Sequence, residues 1–182
     1  VPDYIKEAAV EAINDNYHKY SPVDGYLDLK KAICKKFKRD NNLNYDVDQI
    51  VVSTGAKQSI ANVCMSLINK GDEVLIPTPY WVSYSAMVEL AEGVPVFINP
   101  DEDSNYKITA QQLDSAITDK TKMLMLNSPN NPSGSVFTEQ EYLEFSKVLL
   151  KYPNIIIVSD EIYEHINYGV KSVSFASLPG MY

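Results

Sequence analysis

A chain of 182 residues that is 45% hydrophobic, 22% charged and 10% aromatic can bury one α/β core, which excludes disordered and fibrous classes. Its net charge of -8 leaves no basic face for nucleic acid or an anionic membrane. No apolar stretch nears bilayer-spanning length, the N-terminus lacks a signal-peptide pattern, and Cys34 and Cys64 sit among apolar helical neighbours, so a soluble cytoplasmic protein with reduced thiols is expected.

Pro2 opens a helix running to about Asn16, and a loop through Ser21, Pro22, Asp24 and Gly25 leads to a second helix with Leu29, Ile33 and Phe37 on one face. Ile50 to Ser53 reads as a short buried strand. Thr54 and Gly55 then turn the chain into a helix whose Ile60, Val63, Cys64, Leu67 and Ile68 repeat with helical spacing and which Gly71 and Asp72 end. Glu73 to Ile76 and Val94 to Ile98 are strands, with a helix from about Val82 to Ala91 between them. Thr109 with Gln112 forms a capping box for a helix to Ile117, and Lys122 to Asn127 is a strand leading into a proline-rich loop. Thr138 with Glu141 repeats the capping box for a helix ending near Lys151. Asn154 to Ser159 is so uniformly apolar that it is expected at the centre of a sheet, covered on both faces. This alternation predicts an α/β fold with a mostly parallel sheet.

Four polar segments follow strands, where open α/β sheets bind ligands. Thr54 to Ser59 places small residues at a helix N-terminus, which suits either a phosphate or an ordinary strand-to-helix turn. The only tryptophan, Trp81, follows Pro77 and Pro79, as a stacking plate for a planar ligand or as a core anchor. Asn127 to Gly134 carries two X-Pro bonds, consistent with a stiff loop aiming an asparagine amide, with or without cis peptides, or with a plain turn. Asp160 ends an apolar run, so it either meets a buried cation or caps the next helix.

In this order, Tyr20 to Gly25 (YSPVDG), Gly55 to Gln58 (GAKQ), Pro79 to Tyr84 (PYWVSY), Asn127 to Gly134 (NSPNNPSG) and Ser159 to Tyr163 (SDEIY) closely resemble class I aminotransferases of fold type I. These are pyridoxal-phosphate-dependent enzymes, and the resemblance is to the bacterial aspartate aminotransferase kind. The resemblance implies a three-layer α/β/α sheet domain, with residues 1–182 forming part of the large, cofactor-binding domain and lacking its C-terminal part and the small domain. It implies that Gly55, Ala56 and Lys57 hold the cofactor phosphate, that Trp81 stacks on the pyridine ring, and that Asn131 and Tyr163 bond its phenolic oxygen. Asp160 would pair with the pyridinium nitrogen, and Tyr20 would reach the phosphate of a neighbouring subunit in a homodimer. Trp81, Asn131 and Lys57 would also face the substrate, Lys57 toward a distal carboxylate.

The departures from the family pattern matter as much. The Schiff-base lysine is expected beyond Tyr182, since Lys171 reads as a surface-loop residue, and fifteen lysines accompany a single arginine, Arg39, in a solvated run. The expected parent activity is transfer of an amino group between an amino acid such as aspartate and a 2-oxo acid, with no catalytic residue in this chain and an inactive isolated piece. A β-elimination lyase on the same scaffold, or a non-catalytic module binding a phosphate ligand, are the alternatives. The family sheet is expected to insert two further strands between Ile50–Ser53 and Lys122–Asn127, leaving a gap there and a tendency to pair with another copy or rearrange near Ile50–Ser53.

Overall fold

A computed structural model describes residues 1–182. Three helices, α1 (Asp3–Asn14), α2 (Leu27–Asn41) and α3 (Ala56–Leu67), precede the first strand, after which β1 (Glu73–Pro77), β2 (Val94–Ile98), β3 (Thr121–Asn127) and β4 (Ile156–Asp160) alternate with α4 (Ser83–Leu90), α5 (Ala110–Ala116) and α6 (Glu139–Leu149). The strands form one fully parallel sheet in the order β2-β1-β3-β4.

Side chains alternate across a strand, so each strand feeds both faces of the sheet. Leu75, Leu124 and Leu126 point to one face, where Leu113 of α5 and Tyr142, Phe145 and Leu149 of α6 cover them. Val74, Ile76, Met123 and Met125 point to the other, under Ile60 and Cys64 of α3 and Tyr84, Met87 and Val88 of α4. This gives the three-layer arrangement. Both predicted capping boxes form, with Gln112 N–H donating to Thr109 Oγ1 at 3.2 Å and Glu141 N–H donating to Thr138 Oγ1 at 3.3 Å. Each satisfies N-terminal amides that the helix itself cannot.

Three expectations are corrected. Ile50 to Ser53 is not a strand: Ile50 is buried, but Val51 is 68% exposed, and the segment's hydrogen bonds run to Val47 and Asp24 rather than to the sheet. Local apolar pattern cannot make a strand without a neighbour to bond. The place for inserted strands is also not beside Lys122–Asn127, because β3 is paired on both sides, by β1 and β4. The apolar Ile156–Asp160 strand lies at an edge rather than the centre, half-buried throughout, because nothing in the chain bonds its outer side. A groove of about 450 Å³ runs along that side, lined by Phe37, Ile60, Val63, Val158 and Ile162.

Outside the sandwich, α1 buries no residue, and its Tyr4, Ile5, Val10 and Ile13 are exposed. Helix α2 is tied to the turn after β4 by Glu164, which takes an ion pair from Lys36 and a 2.9 Å hydrogen bond from Asn41 Nδ2. No helix is long and apolar enough to cross a membrane.

Candidate active site

Parallel strands aim their carboxyl ends in one direction, and the loops that leave those ends meet at one place. Beyond β1 comes Trp81, beyond β3 comes Asn131, and β4 ends on Asp160 with Tyr163 three residues on. The turn into α3 adds Gly55, Ala56 and Lys57. These seven residues line one cavity of about 360 Å³, together with Tyr84, Asn127 and Ile162. Of the eight residues expected at the cofactor, only Tyr20 stands apart, on the surface and fully exposed.

Each wall has a local cause. Gly55 has φ +90° and ψ 158°, a conformation open to glycine, and it caps α3 with the helix's first turn facing the cavity. The N–H groups of Ala56 and Lys57 find no acceptor within the chain, so this turn presents two free donors and the positive end of a helix. Gln58 steadies the turn, its Oε1 accepting from Thr54 N–H at 2.5 Å. Lys57 is exposed, and its Nζ lies 5.0 Å from the Trp81 ring centroid.

The Asn and Pro loop is built on side-chain bonds rather than on regular structure. Asn127 Oδ1 accepts from Asn131 N–H at 2.8 Å while Asn127 Nδ2 donates to the Asp160 carbonyl at 3.0 Å, which fixes the loop against the end of β4. Asn130 Nδ2 donates to the Pro79 carbonyl at 3.2 Å, joining this loop to the one that carries Trp81. The bonds before Pro129 and Pro132 are cis, as is the Thr78–Pro79 bond. The side-chain bonds of Asn127 and Asn130 hold the loop against the end of β4 and the loop of Trp81.

Asp160 takes part in no ion pair of the chain. Its Oδ1 accepts from Ile162 N–H at 3.2 Å, and its Oδ2 accepts from the Tyr84 hydroxyl at 2.6 Å. Tyr84 is the site residue that the sequence reading missed. It stands in PYWVSY, but on the helix that follows, where an apolar neighbourhood gives its hydroxyl no visible partner. Burial first, then the Asp160 bond and charge, push its hydroxyl well above the usual phenol range, so it remains a donor.

The residues fit pyridoxal phosphate. Free amides at the α3 N-terminus suit its phosphate, and the Trp81 ring, set edge-on to Tyr84 at 5.6 Å, offers a face to its pyridine. Asp160, held by neutral donors only, suits a protonated ring nitrogen.

Comparison with known proteins agrees. The family model for aminotransferases of class I and II matches residues 1–180. A "Probable aspartate/prephenate aminotransferase" of Rickettsia bellii is 51% identical over 178 residues, covering 97% of this chain and 45% of that protein. An aspartate aminotransferase of Rhizobium meliloti (strain 1021) is 46% identical over 182 residues, covering 99% of this chain and 44% of the relative. The crystal structure of an aspartate aminotransferase from Rhizobium meliloti superposes with a TM-score of 0.96 at 46% identity, covering 99% of this chain and 46% of the other. The chain thus spans less than half the length of the relatives it matches. Over that span sequence and fold agree, and the chain belongs to the class I and II aminotransferases, a family that works with pyridoxal phosphate.

Proposed function

We propose that residues 1–182 are the first part of the large domain of an aminotransferase that moves an amino group between an amino acid, aspartate or one like it, and a 2-oxo acid. The observation that carries this reading is the single cavity into which four separate loops deliver Gly55, Ala56, Lys57, Trp81, Asn131, Asp160 and Tyr163. The names of the relatives favour an acidic substrate, and Lys57 at the cavity rim supplies a cation for its distal carboxylate.

The roles follow from chemistry at each atom. Ala56 and Lys57 N–H groups would hold the phosphate, and Gly55 would let it approach the backbone. Trp81 would pack against the ring and exclude water from it. Asp160, oriented by Tyr84 and Ile162 N–H, would keep a proton on the ring nitrogen. Asn131 and Tyr163 would donate to the phenolic oxygen. The cofactor, when bound, supplies an electron-accepting ring that stabilises negative charge at the substrate α-carbon. Neither Lys171, on the surface, nor Arg39, exposed with its guanidinium on Asp40, is placed to carry the aldehyde or to bind the α-carboxylate, two roles that the family resemblance assigns outside residues 1–182. By itself the chain is then catalytically inactive. Tyr20, fully exposed, is free to serve a second subunit in a homodimer, and the acidic composition with reduced thiols suits the cytoplasm.

The test is titration of the purified chain with pyridoxal phosphate and, separately, with pyridoxal, followed by absorbance, thermal shift and borohydride trapping. Binding that needs the phosphate and leaves no trapped lysine is expected. Equal response to both ligands would overturn the phosphate site, and a stoichiometric adduct on Lys171 or Lys57 would overturn the inactive reading.

A further inference from the structure

The segment 162–173 leaves the sheet after Glu161 and returns at Ser174 and Phe175. One oxygen joins its two ends. Glu161 Oε1 accepts from Ser159 Oγ at 2.7 Å, from Ser174 Oγ at 3.0 Å and from Phe175 N–H at 3.0 Å. Between these ends the loop is held by Glu164, which meets Lys36 and Asn41 of α2, and by a few local bonds. Glu164 N–H donates to the Glu161 carbonyl at 2.9 Å and Ile166 N–H to the Tyr163 carbonyl at 2.8 Å, while residues Asn167 to Val173 form no backbone hydrogen bond. The returning end is firmly seated, since Phe175 is 1% exposed and meets Tyr142 edge-on at 5.0 Å.

Burying a carboxylate is unfavourable unless donors meet it. Burial raises the Glu161 carboxyl, the Ser159, Phe175 and Ser174 donors offset this only in part, and the like charge of Glu164 adds to it. The cation close by, Lys36, is engaged with Glu164 instead. A glutamate kept in such a place, with donors drawn from both ends of one loop, acts as a clasp. Tyr163 lies two residues from the clasp, in the turn whose carbonyls Glu161 and Tyr163 both contribute, and its ring lines the cofactor cavity.

We infer that Glu161 is a positioning residue: by clasping the ends of the 162–173 loop it fixes Tyr163, and through Tyr163 it sets the hydrogen bond offered to the cofactor's phenolic oxygen. This rests on the cofactor site proposed above. The glutamate itself touches neither cofactor nor substrate.

The experiment uses the full-length protein with two readouts. Amide exchange across residues 162–175, followed without cofactor, reports the clasp. The pH midpoint of the visible absorbance, followed with pyridoxal phosphate bound, reports the phenolic oxygen's surroundings. Glu161→Ala is expected to speed exchange at Phe175 at least about tenfold, and to raise the absorbance midpoint by about one unit. Tyr163→Phe should raise it similarly, and the double variant no further. Glu161→Gln keeps the accepting oxygen and should restore both readouts. Ser174→Ala removes one donor and should give a smaller shift in the same direction, which serves if Glu161→Ala fails to fold. Faster exchange with an unmoved midpoint would reduce Glu161 to a structural role and overturn the inference, as would shifts that add fully to those of Tyr163→Phe. Absence of any cofactor band in the wild-type protein would instead overturn the proposed function, while the exchange arm would still decide the clasp.

Discussion

Tyr84 Oη stands 2.6 Å from Asp160 Oδ2, so a side chain from α4 is bonded to the end of β4. Tyr84 is 2% exposed, which places this bond in the core beneath the cavity rather than at its mouth. Hydrogen bonds to a charged partner contribute about 1.5–3 kcal/mol, mostly by orienting the charge and replacing its lost water.

Tyr84→Phe removes the hydroxyl and keeps the ring. Affinity for pyridoxal phosphate is expected to fall about tenfold, equivalent to about 1.4 kcal/mol. Equilibrium titration of the variant and wild type checks this. Unchanged affinity would mean that Ile162 N–H alone is enough to hold Asp160.

Gly55 separates space from strain. A Cβ there would meet nothing within 4 Å, yet φ is +90° with ψ 158°. Gly55→Ala is therefore expected to cost about 1–3 kcal/mol through the backbone alone. Denaturant unfolding measures that loss, and phosphate-dependent cofactor binding should weaken with it as the α3 amides turn. A neutral outcome would show that the turn relaxes into an ordinary conformation.

Glu141 gives a pH signature. Its Oε1 pairs with Lys107 Nζ at 2.6 Å, and its Oε2 accepts from Thr138 N–H at 2.7 Å and Oγ1 at 2.8 Å. Burial pushes the carboxyl up, but the Lys107 and Thr138 bonds together outweigh it and leave it below the usual range. A carboxyl lowered in the folded state contributes stability above its unfolded value and loses it as pH falls through the folded one. Wild type should exceed Glu141→Gln in stability near neutral pH, and the gap should close below about pH 4. Urea unfolding across that range reads it, and a gap that widens on acidification would reverse the sign.

Backbone exchange tests the sheet order. Met123 and Leu124 of β3 are flanked by both β1 and β4, whereas β4 bonds only on its β3 side. In the 182-residue chain, the Met123 and Leu124 amides should be protected and alternate β4 amides should exchange freely, as should Val51 and Ser53, whose N–H groups have no backbone acceptor. Uniform protection of β4 would point to a covered edge, the situation edge strands tend toward when exposed.

The features legible in the sequence were those set by neighbours in the chain. Thr109 with Gln112 and Thr138 with Glu141 are three residues apart, and a helix N-terminus is closed by that spacing alone. The cavity residues were read from the order of the motifs that resemble the family, and for Gly55, Ala56 and Lys57 the strand expected before them does not form. Tyr84 was not, since its position on an apolar helix face says core, and its hydroxyl gains meaning only from Asp160, 76 residues away. Glu161 escaped notice for the same reason, its partners Ser174 and Phe175 being distant by chain and adjacent in space.

The helix caps and the alternation of helices and strands from Glu73 onward were thus determined by the sequence by itself, because periodicity and turn chemistry are local properties, while the candidate cofactor residues came from the resemblance of the ordered motifs to a family. Strand pairing was decided only by the tertiary structure. Ile50 to Ser53 has the composition of a strand and no neighbour, and Ile156 to Asp160 has the composition of a central strand and sits at an edge. A strand is stabilised by hydrogen bonds to another segment, and no single stretch of sequence contains its own partner.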